Sequence, residues 1–168
     1  MNIKDLRWFP PIVLPKFPNL QGGETILATR FIRKNPLKLD KITYNIPLHN
    51  GPTAREGLPN KLKKNWDYLS GSKMDAMGLT KDILYIIEFK SLPNYSISGQ
   101  LNFYKRKFAE KYSYTNRIEL VCVSPLMQFQ YFEQLQNEGI IIIEYSIPDI
   151  ILSEVFNNPL DIDPQEKI

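Results

Sequence analysis

The apolar positions along this chain fall into blocks of two periods. From Glu24 to Lys34 (ETILATRFIRK), Leu27, Ala28, Phe31 and Ile32 recur at the spacing of one helical face. Gly22-Gly23 breaks the chain before this block, and Glu24 falls in the first turn, where a carboxylate suits the helix dipole. Residues 40–48 (DKITYNIPL) alternate apolar and polar, as a strand does, until Pro47. Residues 72–79 (SKMDAMGL) and 83–91 (ILYIIEFKS) predict a hairpin turning at Thr80-Lys81-Asp82. Its second strand is nearly all apolar, which predicts a central strand covered on both faces. Residues 96–112 predict a helix, with Ser96 at the N-cap and Ile97, Leu101, Tyr104 and Phe108 as its buried stripe. A strand at 117–124, a helix at 126–137 ending before Gly139 and a buried strand at 140–146 (IIIIEYS) complete the pattern.

The order is helix, three strands, helix, strand, helix, strand. Three consecutive strands predict a meander, and the helix after them allows a crossover to a parallel partner. The expected fold is α/β, with a mixed central sheet flanked by helices on both faces.

Three segments lie outside this pattern. Residues 8–18 (WFPPIVLPKFP) hold four prolines, so they should be extended. The simpler expectation is that Trp8, Phe9 and Phe17 pack on their own domain; the alternative is an arm reaching a partner subunit. Residues 49–68 read as a long loop, with a short helix around LKKNWDYL and the cations Arg55, Lys61, Lys63 and Lys64. Loops of that length in compact domains are often functional. A short apolar stretch from Ile150 to Phe156 precedes an acidic end. The chain thus divides into an arm (1–21), a domain (22–146) and a tail (147–168).

Composition narrows the class. A length of 168 residues suits one domain, and a hydrophobic fraction of 43% supplies a core. The net charge of +3 is too small to indicate nucleic acid by itself, so local patches must carry any such claim. The lone Cys122 lies in an apolar run and reads as a core thiol; without a second cysteine there is no intrachain disulfide, which fits a reducing cytoplasm. No Cys/His cluster suggests zinc. His49, in a loop beside Gly51-Pro52, is the one histidine, so a hydrolase triad has little support. The N-terminus lacks a signal-peptide apolar region, and no apolar run approaches the roughly 18 residues of a membrane span. A cytoplasmic protein without membrane contact is expected.

Chemistry concentrates between Asp75 and Tyr104. Glu88-Phe89-Lys90 ends an apolar strand, and residues two apart share a face. Burying a carboxylate and an ammonium there is costly unless they pair or hold a metal. Asp75 lies on the adjacent predicted strand. Gln100 and Tyr104 follow four apart on one helical face. Each has an ordinary explanation: a strand-end ion pair, a turn-proximal acid, a helix-start Glu24, a core Tyr104.

Taken together, Asp75, Glu88-Phe89-Lys90, Gln100 and Tyr104 resemble the PD-(D/E)XK nuclease superfamily. Its signature is an acid on the second strand and an acid-x-lysine on the third. The Gln-x-x-x-Tyr pair is similar to the RecB-like branch, and the Gly99-Gln100-Leu101 pattern to small phage-encoded members. On element order the resemblance covers roughly residues 22–146. It implies a restriction-endonuclease-like αβββαβ core and metal-dependent hydrolysis of DNA. It implies Asp75, Glu88, the Phe89 carbonyl and Glu24 as ligands of Mg²⁺ or Mn²⁺. Lys90 would serve the nucleophile, with a pKa lowered by the bound cation, and Gln100 would support the site. Tyr104, Lys105, Lys107, Lys61 and Lys64 are the candidate nucleic-acid contacts. The alternative is a catalytically inactive protein on the same fold, acting in DNA binding or virion assembly. Under either reading DNA is the expected partner, with a homo-oligomer or phage assembly partner as further candidates, in the host cytoplasm or the virion if the protein is viral.

Overall fold

The computed structural model describes residues 3–48 and 72–146. The predicted loop with Arg55, Lys61, Lys63 and Lys64, its short helix, His49 and the apolar tail lie outside the described residues.

After a short 3-10 turn at Ile3–Asp5 come α1 (Gly23–Lys34), β1 (Lys41–Pro47), β2 (Lys73–Leu79), β3 (Leu84–Phe89), α2 (Ser96–Tyr112), β4 (Ile118–Ser124), α3 (Phe129–Asn137) and β5 (Ile141–Glu144). Among the described residues the strands form one sheet in the order β1-β2-β3-β4-β5. β1, β2 and β3 are antiparallel neighbours, while β4 and β5 run parallel to β3 and to each other. This is the αβββαβ arrangement of a restriction-endonuclease-like core, with the meander and the helical crossover that the sequence predicts.

Two apolar clusters sandwich the sheet. On one face, Leu27, Ala28, Phe31 and Ile32 of α1 pack on Ile42, Tyr44, Ala76, Tyr85, Ile87, Phe89, Val121 and Val123. On the other, Ile97, Leu101, Tyr104 and Phe108 of α2 pack on Met77, Leu84, Ile86, Leu120 and Cys122. Every residue of β3 is buried, because its alternate side chains enter both clusters and two strands flank it. At Gly78, β2 passes under Leu39: a Cβ there would stand 2.5 Å from Leu39 Cδ1, so the leucine side chain would have to shift.

The proline-rich segment lies against the sheet. Phe9 bridges Ile42 of β1, Phe17 and Leu20 are buried with the α1 cluster, and the Trp8 indole donates to the Ile3 carbonyl. This agrees with packing of Trp8, Phe9 and Phe17 on their own domain.

Local details differ from the sequence pattern. Ser96 is not the N-cap of α2. Tyr95 holds that position, and the Asn94 side chain accepts the Ser96 backbone N–H at 2.9 Å. An Asx turn thus competes successfully with the serine for the first free amide. α3 begins at Phe129, since Gln128 is still extended. β5 is half-buried rather than buried, because among the described residues it pairs with β4 alone and ends the sheet. No helix among the described residues is long and apolar enough to cross a membrane.

Candidate active site

Pleating delivers the chemistry of β3. Tyr85, Ile87 and Phe89 point into the α1 cluster, where the Phe89 ring meets Phe31 edge-on with centroids 5.8 Å apart. Leu84, Ile86 and therefore Glu88 face α2. Glu88 is only 1% exposed. Its Oε1 accepts from Lys90 Nζ at 2.8 Å and from Gln100 Nε2 at 2.7 Å. The same Gln100 nitrogen donates to Tyr104 Oη at 2.5 Å. Glu88 Oε2 is buried and has no donor. An unsatisfied buried acceptor costs about 1–3 kcal/mol, and more when it is charged.

Asp75 reaches this group from β2. Its Oδ2 accepts the Phe89 backbone N–H at 3.0 Å. Pairing of β2 with β3 stops at Ala76 opposite Ile87, so the Asp75 carboxylate takes the place of the next ladder carbonyl. The Asp75 and Glu88 carboxyls are close enough for one proton to bridge them. Glu24, at the start of α1, feels the charges of Asp75 and Lys90.

Electrostatics follow from this crowding. Burial and then the Asp75 charge push the Glu88 carboxyl up to about 8, against the relief that Lys90 provides. Burial raises Asp75 too, although the Phe89 N–H and Lys90 hold it down in part. Glu24 is raised by burial and by Asp75. Burial draws the Lys90 ammonium down, but Glu88, Asp75 and Glu24 outweigh it, and the net direction is upward. Lys90 is therefore charged in this arrangement. The fall expected beside a cation belongs to a state in which one is bound. Burial and then Glu88 push the Tyr104 hydroxyl up to about 12.

The structure thus brings Asp75, Glu88, Phe89, Lys90, Gln100 and Tyr104 together at the end of β3, with Glu24 near them. Tyr104 is buried in the α2 stripe, and its hydroxyl meets Gln100 rather than solvent. Lys105 is exposed on α2, and Lys107 pairs with Glu110 at 2.7 Å. Lys61 and Lys64 lie outside the described residues.

A divalent cation can be tested against these donors. Among the described residues, no three His, Cys, Asp or Glu side chains stand close enough to form a ligand set by themselves. The Asp75 and Glu88 carboxyls do interact, and Glu88 Oε2 is buried without a donor. Mg²⁺ is commonly bound by one or two carboxylates and keeps several waters, so the Asp75–Glu88 pair fits it.

One residue of the site's architecture escaped the sequence pattern. Asn45 has φ 54°, a left-handed conformation inside a strand, and lies where the β1–β2 pairing is interrupted, between Tyr44–Ala76 and Ile46–Met74. The signal was present: asparagine is among the few side chains that adopt it readily.

No family model matches the chain, and no curated protein sequence does. Solved structures do. A repair endonuclease from Pyrococcus abyssi aligns with a TM-score of 0.45 and 18% identity, over 78% of this chain and 50% of the endonuclease. EndoMS in a complex with double-stranded DNA gives 0.45 and 19%, over 79% of this chain and 48% of that one. Protein VC1899 from Vibrio cholerae gives 0.37 and 16%, over 80% and 32%. The chain therefore spans about half the length of the two endonucleases.

Proposed function

We propose that this chain is a divalent-metal-dependent nuclease of the PD-(D/E)XK type that hydrolyses DNA phosphodiester bonds. The observation that carries this is Glu88. The fold buries this carboxyl within reach of the Asp75 charge, ties one oxygen to Lys90 and Gln100, and leaves the other without a donor. Such an acidic pair is costly unless a cation relieves it.

Asp75 and Glu88 would hold Mg²⁺ or Mn²⁺, with the Phe89 carbonyl as a further ligand and Glu24 acting through water. When bound, the cation supplies Lewis-acid charge at the phosphate and a template for water. Lys90 Nζ, held by Glu88, keeps a positive charge at the mouth of the site, where it stabilises charge building on the phosphate oxygens and orients the attacking water. Gln100 fixes the Glu88 carboxylate through one N–H and is itself fixed on Tyr104 through the other. Exposed cations of α2 such as Lys105 would follow the phosphate backbone, giving affinity without sequence information.

The test is incubation with linear duplex, circular duplex and single-stranded DNA in Mn²⁺, Mg²⁺ or EDTA, with Asp75→Ala and Lys90→Ala as controls. Metal-dependent cleavage that both substitutions abolish supports the proposal. A folded protein that cuts no substrate overturns it and turns attention to a non-catalytic DNA-binding or assembly role.

A further inference from the structure

We infer that Asn45 is a positioning residue for this site, and that its left-handed backbone is what turns the Asp75 carboxylate onto β3. The inference rests on the proposed function for its catalytic consequence, but its structural content stands apart from it.

The argument begins with parity. β1 and β2 keep one register from Lys41 opposite Leu79 to Pro47 opposite Lys73, but the pairing is interrupted between Tyr44–Ala76 and Ile46–Met74, at Asn45 and Asp75. In a regular ribbon, residues two apart share a face. Ile42, Tyr44 and Ala76 lie in the α1 cluster. Ile46, Leu48 and Met74, of the same parity, lie in the α2 cluster instead. The ribbon therefore changes face at Asn45 and Asp75. Among the described residues of β1 and β2, Asn45 has the positive φ, at 54°. A left-handed residue within a strand twists the chain locally and cannot continue a regular ladder.

The turn has a result on β3. Asp75 occupies the register position where the face changes, and its carboxylate lies toward β3 rather than in either cluster, accepting the Phe89 N–H. That bond seats the acid beside Glu88. Asn45 is held in turn by the proline-rich segment, whose Asn19 side chain donates to its Oδ1. The segment ahead of the domain thereby reaches the site through two residues, and no motif in the sequence advertises either.

The requirement is for a backbone conformation, so it predicts an unusual order of substitutions. Glycine adopts φ 54° freely, alanine reluctantly, and β-branched valine scarcely at all. Amide hydrogen exchange of the ¹⁵N-labelled full chain, read at Phe89 against Ile87, should separate Asn45→Gly, Asn45→Ala and Asn45→Val, with Asp75→Ala as reference. Asn45→Val should speed exchange at Phe89 at least tenfold, as Asp75→Ala does, while Ile87 stays protected. Asn45→Gly should match the wild type, and Asn45→Ala should fall between. Single-turnover cleavage with Mn²⁺ should fall in the same order.

Two results would overturn the inference: full protection of Phe89 in Asn45→Val, or equal loss in Asn45→Gly and Asn45→Val. If Asn45→Val does not fold, the contrast between alanine and glycine decides by the same criterion. Absence of cleavage by the wild type would defeat the nuclease proposal, while the exchange at Phe89 would still decide the role of Asn45.

Discussion

Glu88→Gln removes a charge that the fold keeps from water, and its effect on stability can be worked from the site. The Glu88 carboxyl lies near 8 in the folded protein against an ordinary 4.5. Between those values the native state holds a proton that the unfolded chain has released. Stability without metal therefore falls as pH rises from 4.5, and the fall ends above pH 8. At pH 7 the unfolded side chain is about two and a half pH units beyond its own midpoint, while the native one is still mostly protonated. At about 1.4 kcal/mol per unit, the wild type has lost about 3 kcal/mol by pH 7, and about 5 kcal/mol once titration is complete. Glu88 is buried, so solvent does not screen this cost. Glutamine has no proton to lose, so the variant keeps the slope that the raised Asp75 and Glu24 carboxyls contribute to both proteins. The assay is urea unfolding in EDTA at steps from pH 4.5 to 9, for both proteins. The difference in stability should move in favour of Glu88→Gln by about 3 kcal/mol between pH 4.5 and 7. For a chain of this length that corresponds to roughly 6–12 °C in Tm. Parallel profiles across the range would refute the reasoning, because they would mean that the Lys90 ion pair fully offsets burial and Glu88 ionises normally. A stabilised variant that no longer cleaves DNA would also show that the fold carries this carboxylate for chemistry.

Three further outcomes are expected. Lys90→Ala should fold and lose about a hundred-fold or more in single-turnover cleavage, since a positioned charge or proton-transfer group contributes about 10²–10⁴. Mn²⁺ should raise the Tm of the wild type, by an amount equivalent to about 3 kcal/mol at a hundred times its Kd, and Asp75→Ala should abolish that increment in differential scanning fluorimetry. The increment should grow from pH 6 to 8, because the cation competes with the proton shared by Asp75 and Glu88. Phe31→Ala, which removes the ring packed edge-on against Phe89, should cost about 3–5 kcal/mol in urea unfolding, as for other fully buried phenylalanines.

Much of this protein is legible in its sequence because the determining forces are local. The nearly all-apolar run of β3 predicts a strand covered on both faces, and it occupies the middle of the sheet. The stripe of Ile97, Leu101, Tyr104 and Phe108 defines the buried face of α2 whatever surrounds it. A two-residue period places Glu88 and Lys90 on one face, and a four-residue step places Gln100 over Tyr104, so these contacts follow from strand and helix geometry alone.

Tertiary structure decided what joins the elements. Asp75 lies fourteen residues from Phe89, and no periodicity says that its carboxylate replaces a ladder carbonyl there. That outcome needs the ribbon to change face at Asn45, a residue whose strand pattern looks ordinary until its φ is known. Gln100 meets Glu88 because the crossover sets α2 against β3, a packing decision made by the whole apolar stripe. The proline-rich segment reads as an arm that packs on its own domain or reaches a partner subunit, and the structure buries Phe17 and Leu20 with the α1 cluster, since burial depends on which neighbours the fold supplies. β5 reads as buried and is half-buried for the converse reason: it is as apolar as a central strand but, among the described residues, has a partner on one side. Local pattern chose the elements and the residue types at the site; the shift of Glu88 and the seating of Asp75 arise from distances between elements, which only packing sets.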